Sequence, residues 1–136
     1  MNATTWTATI GGLPLRVWVE QDDSGRVVEI RAAYGKEHSG SGFAAVLGLV
    51  CASWSIALRA GMPLRRLVET FTGTKFSPKH ETGDESQPRC MSVVDYLARS
   101  LGNRFPEAMA EPLWPVEKAA EYMPPGPAHQ AESEVA

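Results

Sequence analysis

The first third of the chain alternates between apolar and polar residues, the pattern of strands that are buried on one face. The alternation runs over residues 4–10, 13–20 and 26–34. Gly11-Gly12 separates the first two stretches, and Asp22-Asp23-Ser24-Gly25 separates the second from the third. Both connections are typical of short hairpin turns. Because strands joined by such turns pair with their chain neighbours, the sequence predicts a three-stranded antiparallel meander.

A long apolar segment from residue 41 to residue 61 follows the meander. Apolar residues recur there at three- and four-residue steps, at Phe43, Val46, Leu47, Val50 and Trp54. Leu49 and Ile56 add a second apolar face, so the pattern predicts a central helix that is buried nearly all round. Interrupting serines and Arg59 argue against a membrane span. Gly61 is placed to end the helix, and Pro63 fits the first turn of the next one.

Two shorter helices are predicted after the central one, over residues 63–72 and 93–101. Ser92 is placed to cap the second of them, and Gly102 is predicted to end it. A long polar loop over residues 74–91 connects the two. We therefore predict an α+β fold in which a three-stranded antiparallel meander packs on a long central helix with two shorter helices beside it.

Composition narrows the function classes and predicts a boundary. The 136 residues suit one domain, and a net charge of -3 argues against nucleic acid as a partner. After Phe105 the chain holds six glutamates, one lysine and six of its ten prolines. This shift predicts a folded domain over residues 1–105 and an acidic, proline-rich tail over residues 106–136. With no secretion signal and no membrane span predicted, we expect a cytoplasmic protein.

Two segments contain candidate anion sites. The glycine-rich stretch before the central helix could bind an anion through Lys36, His38, Gly40, Ser41 and Gly42, or it could be a tight turn that allows close packing. A basic patch could form from Arg65, Arg66, Lys75 and Lys79, joined by His80 and Arg89. The alternative for the second group is an ordinary solvated helix face and loop.

No spacing of side chains in the sequence predicts catalysis. The three histidines are scattered, and the two cysteines, Cys51 and Cys90, form neither a disulfide framework nor a metal site. We therefore predict no catalytic residues and no bound metal. In the tail, Leu113, Trp114 and Val116 could dock into a groove on another protein or fold back on their own domain.

Several segments together resemble the TSCPD domain, the small C-terminal domain of adenosylcobalamin-dependent (class II) ribonucleotide reductases, which also occurs as short separate proteins. The resemblance covers residues 4–105. It rests on the segments DDSGRVVEI, GKEHSGSG, SWSIALRAGMPLRRLVETF, FTGTKFSP and SVVDYLARSLGNRF. The run of helix end, proline start and following Phe-x-Pro loop is the most specific of these.

The departures from the family pattern shape what the resemblance implies. The Thr-Ser-Cys-Pro-Asp signature is not present, the tail has no cysteine pair, and the reductase barrel with its cysteine triad does not fit in this length. The resemblance implies an accessory or interaction module that is not an enzyme on its own, with adenosylcobalamin only in the full-length reductases. The expected partners are a ribonucleotide reductase chain and a second copy in a homodimer, since so small a sheet leaves open edges. The alternative is a small nucleotide- or phosphate-binding regulator that uses the glycine-rich helix start.

Overall fold

The computed structural model describes residues 2–35, 42–76 and 81–113, and within them it confirms the predicted α+β architecture. The strands are β1 (Asn2–Ile10), β2 (Leu13–Gln21) and β3 (Val27–Tyr34). The helices are α1 (Gly42–Arg59), α2 (Leu64–Phe71) and α3 (Val93–Arg104). A short 3₁₀ helix, Pro106–Ala110, follows α3.

The sheet is the predicted meander, with strand order β1-β2-β3 and both pairs antiparallel. Alternate residues of β1 and β2 point into the core, namely Trp6, Ala8, Ile10, Leu15, Val17 and Val19. Leu13 was predicted on the same face but is 40% exposed, because it lies at the turn end of β2. A register shift at Glu20/Gln21 pairs Gln21 with Val27.

Helix α1 lies along the outer edge of β3. The Ser55 hydroxyl accepts from the Ile30 N–H at 3.0 Å and lies 3.2 Å from the Ile30 carbonyl oxygen, to which it can donate. The Arg26 guanidinium also donates to the carbonyl oxygens of Leu58 and Met62, at 2.5 and 3.3 Å. The edge that β3 would otherwise present to solvent is therefore covered by a helix.

The prediction that α1 is buried nearly all round is wrong. Its buried residues all lie on one face, and they are Leu47, Cys51, Trp54, Ser55 and Leu58. On the opposite side Val46, Leu49 and Ile56 are 52%, 68% and 70% exposed. The reason is position: at the margin of a three-stranded sheet, α1 is packed from the side of β3.

Helix α3 is the deeply buried helix, since every residue from Val93 to Leu101 is buried except Arg99. The predicted cap is confirmed, because the Ser92 hydroxyl accepts from the Asp95 N–H at 3.0 Å. The predicted stop at Gly102 is wrong, because the helix continues to Arg104. A Cβ on Gly102 would lie 3.1 Å from Val68 Cγ1, so this glycine permits the close approach of α2 and α3.

Candidate functional site

The largest cleft of the described residues has a volume of about 1050 Å³. Its walls come from the β1–β2 turn, the end of α2, the loop before α3 and α3 itself. The residues that carry chemistry there are Glu81, Arg89, Cys90, Asp95 and Arg99. A cleft of this size could hold a small ligand, so the hydrogen bonds of these groups decide what it can do.

Asp95 is the most completely bonded group in this cleft. Its side chain is 1% exposed. One carboxylate oxygen accepts from the Gly73 N–H at 2.7 Å, and the other accepts from the Met91 N–H at 2.8 Å and from Arg99 Nη2 at 3.1 Å. These bonds tie α3 to the end of α2 and to the loop. Asp95 is therefore a structural clamp, not a carboxylate available for acid–base work.

Arg99 and its neighbours leave no excess of positive charge in the cleft. Arg99 donates to the carbonyl oxygen of Arg89 as well as to Asp95, while its buried Nε has no hydrogen-bond partner among the described residues. Two arginines, Arg89 and Arg99, face two carboxylates, Glu81 and Asp95. Because the charges balance, this lining does not favour an anionic ligand.

A second polar cluster fastens the loop to α3 on another side. Tyr96 donates its hydroxyl to Asp84 Oδ2 at 2.7 Å, and Arg104 Nη2 lies 3.4 Å from the same oxygen. The Arg104 guanidinium also stacks over the Trp6 ring at 4.5 Å. Burial opposes the charge on Asp84, but hydrogen bonds from Ser86 and Tyr96 outweigh it and hold the pKa of Asp84 below its ordinary value.

The remaining reactive side chains are also accounted for by the fold. Burial raises the pKa of the Cys51 thiol to about 12, so it is a neutral core residue at physiological pH. Cys90 is buried and is not in a disulfide. Burial, followed by the bond to Asp84, also raises the pKa of Tyr96. Over residues 2–35, 42–76 and 81–113, no group of three or more His, Cys, Asp or Glu is placed to hold a metal ion.

The structure describes only one residue of the predicted glycine-rich anion site. Gly42 is the first residue of α1 and is exposed. The other four, Lys36, His38, Gly40 and Ser41, lie outside the described residues. That site stays a prediction.

The predicted basic patch is only partly described. Arg65 forms an ion pair with Glu69 at 3.0 Å and donates through Nη1 to the Glu111 carbonyl oxygen at 3.0 Å. Arg66 and Lys75 are exposed, and Lys79 and His80 lie outside the described residues. The charge of Arg65 is thus compensated within α2, and its guanidinium helps to hold the segment that follows the 3₁₀ helix.

Of the three tail residues predicted to dock, only Leu113 is described. It is half-buried at the end of the described chain. Trp114 and Val116 lie outside the described residues. Docking of the tail therefore stays a prediction.

The surface that sequence reasoning missed is the solvent side of α1. We call it the outer face, and it consists of the exposed residues Ala45, Val46, Leu49, Ala52, Ser53 and Ile56. None of them is charged, and Arg59 at the end of the helix pairs with Glu29 at 2.9 Å. The sequence does contain the signal, a second apolar stripe along the helix, but the same stripe is also typical of a fully buried helix.

Comparison with known proteins places the chain by its sequence. The TSCPD domain family matches residues 1–105. The vitamin B12-dependent ribonucleotide reductase of Agrobacterium fabrum (strain C58 / ATCC 33970) is 34% identical over 98 residues, which are 71% of this chain and 8% of that enzyme. The corresponding enzyme of Rhodopirellula baltica is 36% identical over 81 residues, 60% of this chain and 8% of the enzyme.

A third vitamin B12-dependent ribonucleotide reductase, from Bradyrhizobium diazoefficiens, is 30% identical over 113 residues, 79% of this chain and 9% of the enzyme. The chain thus spans less than a tenth of the length of each of these relatives. No solved structure matches it. With the family match covering most of its length and the predicted fold confirmed, the chain belongs to the TSCPD domain family.

Proposed function

We propose that this chain is a non-catalytic accessory and protein-interaction module that works with vitamin B12-dependent ribonucleotide reductase in deoxynucleotide synthesis. The observation that carries the proposal is the extent of the match. The similar region is 8% or 9% of each reductase, so it corresponds to a small part of an enzyme whose chemistry needs a much larger body.

The bonding of the polar side chains supports a non-catalytic role. Asp95 uses both of its oxygens to join α3 to the end of α2 and to the loop. Asp84 is bonded to Tyr96 and Ser86, and the Cys51 thiol stays neutral. A general acid or base needs a free lone pair or proton that faces the substrate. These groups instead serve the fold, which leaves recognition as the role that the surface can perform.

The partner in this proposal is a ribonucleotide reductase chain in the cytoplasm. The reductase would bring the adenosylcobalamin and the radical chemistry, and this chain would contribute a binding surface. The tail residues Leu113, Trp114 and Val116 are one candidate for that surface and the folded domain is the other. The experiment below separates the two.

The test is direct binding between the full chain and the purified vitamin B12-dependent reductase of the same cells, measured by biolayer interferometry with adenosylcobalamin present. We expect saturable binding, and no ribonucleotide reduction by the chain alone. Full-length protein with Leu113→Ser, Trp114→Ser and Val116→Ser shows whether the tail carries the contact. Absence of binding by both proteins, or turnover by the chain without the reductase, would overturn the proposal.

A further inference from the structure

The outer face of α1 is the largest feature of the structure that the fold itself does not use. Val46, Leu49 and Ile56 keep 52%, 68% and 70% of their surface in solvent, although the helix has a well-packed inner side. Contiguous apolar side chains left in solvent in this way mark an interaction surface. We propose that the outer face of α1 pairs with the outer face of α1 in a second copy of the chain, as an antiparallel helix pair about a two-fold axis.

The size pattern along the middle of the face argues for a second copy as the occupant. Ala45, Leu49, Ala52 and Ile56 follow one another at steps of four, three and four residues, so they form a central row along the helix. Read forward, the row is small, large, small, large, and read backward it is large, small, large, small. Laid antiparallel on itself, the row places Leu49 opposite Ala52 and Ile56 opposite Ala45 of the second copy.

This alternation is the condition for close interdigitation of two helices. Alanine at every second position of the row lets the two backbones approach, while the leucine and isoleucine fill the space over the facing alanines. A parallel pair in the same register would instead set leucine against leucine and alanine against alanine. The surface is self-complementary only under a two-fold axis, which is the symmetry of most homodimers.

Charge favours the same arrangement. The outer face carries no charged side chain, so burying it desolvates no ion. Arg59 lies just beyond the face, and an antiparallel pair puts the Arg59 residues of the two copies at opposite ends of a contact about 27 Å long. A parallel pair would bring them side by side. The antiparallel pair also aligns the two helix dipoles favourably.

The rest of the described chain leaves this surface open. The 3₁₀ helix packs against α2 and α3, so the described chain ends beside those two helices. One helix pair buries less than the ~1,600 Å² of a standard interface. We therefore expect a weak and concentration-dependent dimer, with a dissociation constant on the order of micromolar.

The first test is sedimentation equilibrium of the full chain over a range of concentrations, compared with Leu49→Glu. We expect at least a tenfold weaker self-association for the variant, because each carboxylate would be buried against an alanine without a partner. Leu13→Glu is the matched control, since Leu13 is an exposed leucine on the sheet. It should leave self-association unchanged. Circular dichroism checks that both variants are folded, which we expect because both positions are exposed.

The second test fixes the register. Ala45→Glu and Ile56→Lys should each weaken self-association, and the double variant A45E/I56K should recover it, because each new carboxylate faces the new ammonium of the second copy. The mismatched double variant A45E/S53K should not recover. Positions 45 and 56 are too far apart on one helix to pair within a single copy, so recovery reports contact between copies.

Three results would overturn the inference. The full chain could stay monomeric at every concentration, or the dimer could survive Leu49→Glu, which would place the contact elsewhere, for example on the outer edge of β1. A monomeric chain that binds lipid vesicles through the face, with binding lost in Leu49→Glu, would make a membrane the occupant. Each of these results leaves the reductase-binding experiment unaffected, so the two proposals fail separately.

Discussion

Helices α1 and α3 differ in burial in the opposite sense to their composition. Helix α1 is almost wholly apolar, yet Val46, Leu49 and Ile56 face solvent. Helix α3 carries Asp95, Ser100 and Arg104, yet nearly all of its residues before Gly102 are buried. Burial in this fold therefore follows the place of a helix relative to the sheet and the other helices, and not the proportion of apolar residues in the helix.

The comparison also shows what makes each arrangement tolerable. Every polar group that α3 buries is matched, since Asp95 accepts three hydrogen bonds and Ser100 donates to the Leu97 carbonyl oxygen at 3.0 Å. On α1 the exposed apolar face costs little in a monomer but gives the protein a surface for association. The polar helix is thus the internal scaffold, and the apolar helix is the one with surface left for a partner.

The strongest way to break the scaffold is to remove its clamp. Asp95→Ala leaves the N–H groups of Gly73 and Met91 and the Arg99 guanidinium without their shared acceptor. Losing one partner of a buried charge pair costs about 3–5 kcal/mol. Urea denaturation should show that loss as a lower midpoint. Glu85→Gln, at an exposed position of the same loop, should leave the midpoint nearly unchanged.

The two faces of α1 should respond differently to the same kind of truncation. Leu58 is 0% exposed on the inner face, so Leu58→Ala removes core contacts and should cost about 2–5 kcal/mol. Ile56 is 70% exposed two residues away, and Ile56→Ala should change the free energy of unfolding of the monomer by less than about 0.5 kcal/mol. Both are measured by thermal and urea unfolding in dilute protein. Equal losses would contradict the assignment of an inner and an outer face.

The glycines of the two helices offer a finer test. Ala is about 1 kcal/mol better than Gly in a helix, so Gly48→Ala, where a Cβ meets nothing within 4 Å, should stabilise the monomer by about that amount. Gly102→Ala should instead destabilise by about 1 kcal/mol, because its Cβ would crowd Val68. The double variant G102A/V68A should lose less than the sum of the two single variants. Strict additivity would mean that the two sites are not in contact.

Local rules were enough to predict the meander, the three helices and the Ser92 cap from sequence. Each depends on a few neighbouring residues, such as the Asp22-Asp23-Ser24-Gly25 turn between two alternating stretches. The errors came where a residue type has two uses. A glycine ends a helix or lets another helix approach it closely, and Gly102 does the second. An apolar stripe faces a core or a partner, and only the three-dimensional position of α1 shows that Leu49 has no core to face.

The same limit applies to the candidate sites. The Asp95 clamp joins residues from the end of α2, the loop and α3, and no local spacing indicates that Gly73 and Met91 will meet one carboxylate. Sequence likewise shows Arg65 as a free cation, whereas in the fold Glu69 and the Glu111 carbonyl oxygen share it. The family resemblance could be recognised because it depends on ordered segments along the chain, not on such meetings.

The smallest expected effect is the contribution of Asp84 to stability against acid, and it tests whether α3 is held by charge as well as by packing. Hydrogen bonds keep the pKa of folded Asp84 below its ordinary value of 3.8, so the unfolded chain takes up the proton first as the pH falls. The stabilisation is therefore complete above that ordinary value and is lost as the pH falls through the folded pKa. Urea unfolding between pH 6 and pH 3 should give a steeper acid loss for the native chain than for Asp84→Asn. Tyr96→Phe removes the hydroxyl that donates to Asp84 and should weaken the acid dependence in the same direction, whereas parallel curves for all three proteins would show that packing alone holds this side of α3.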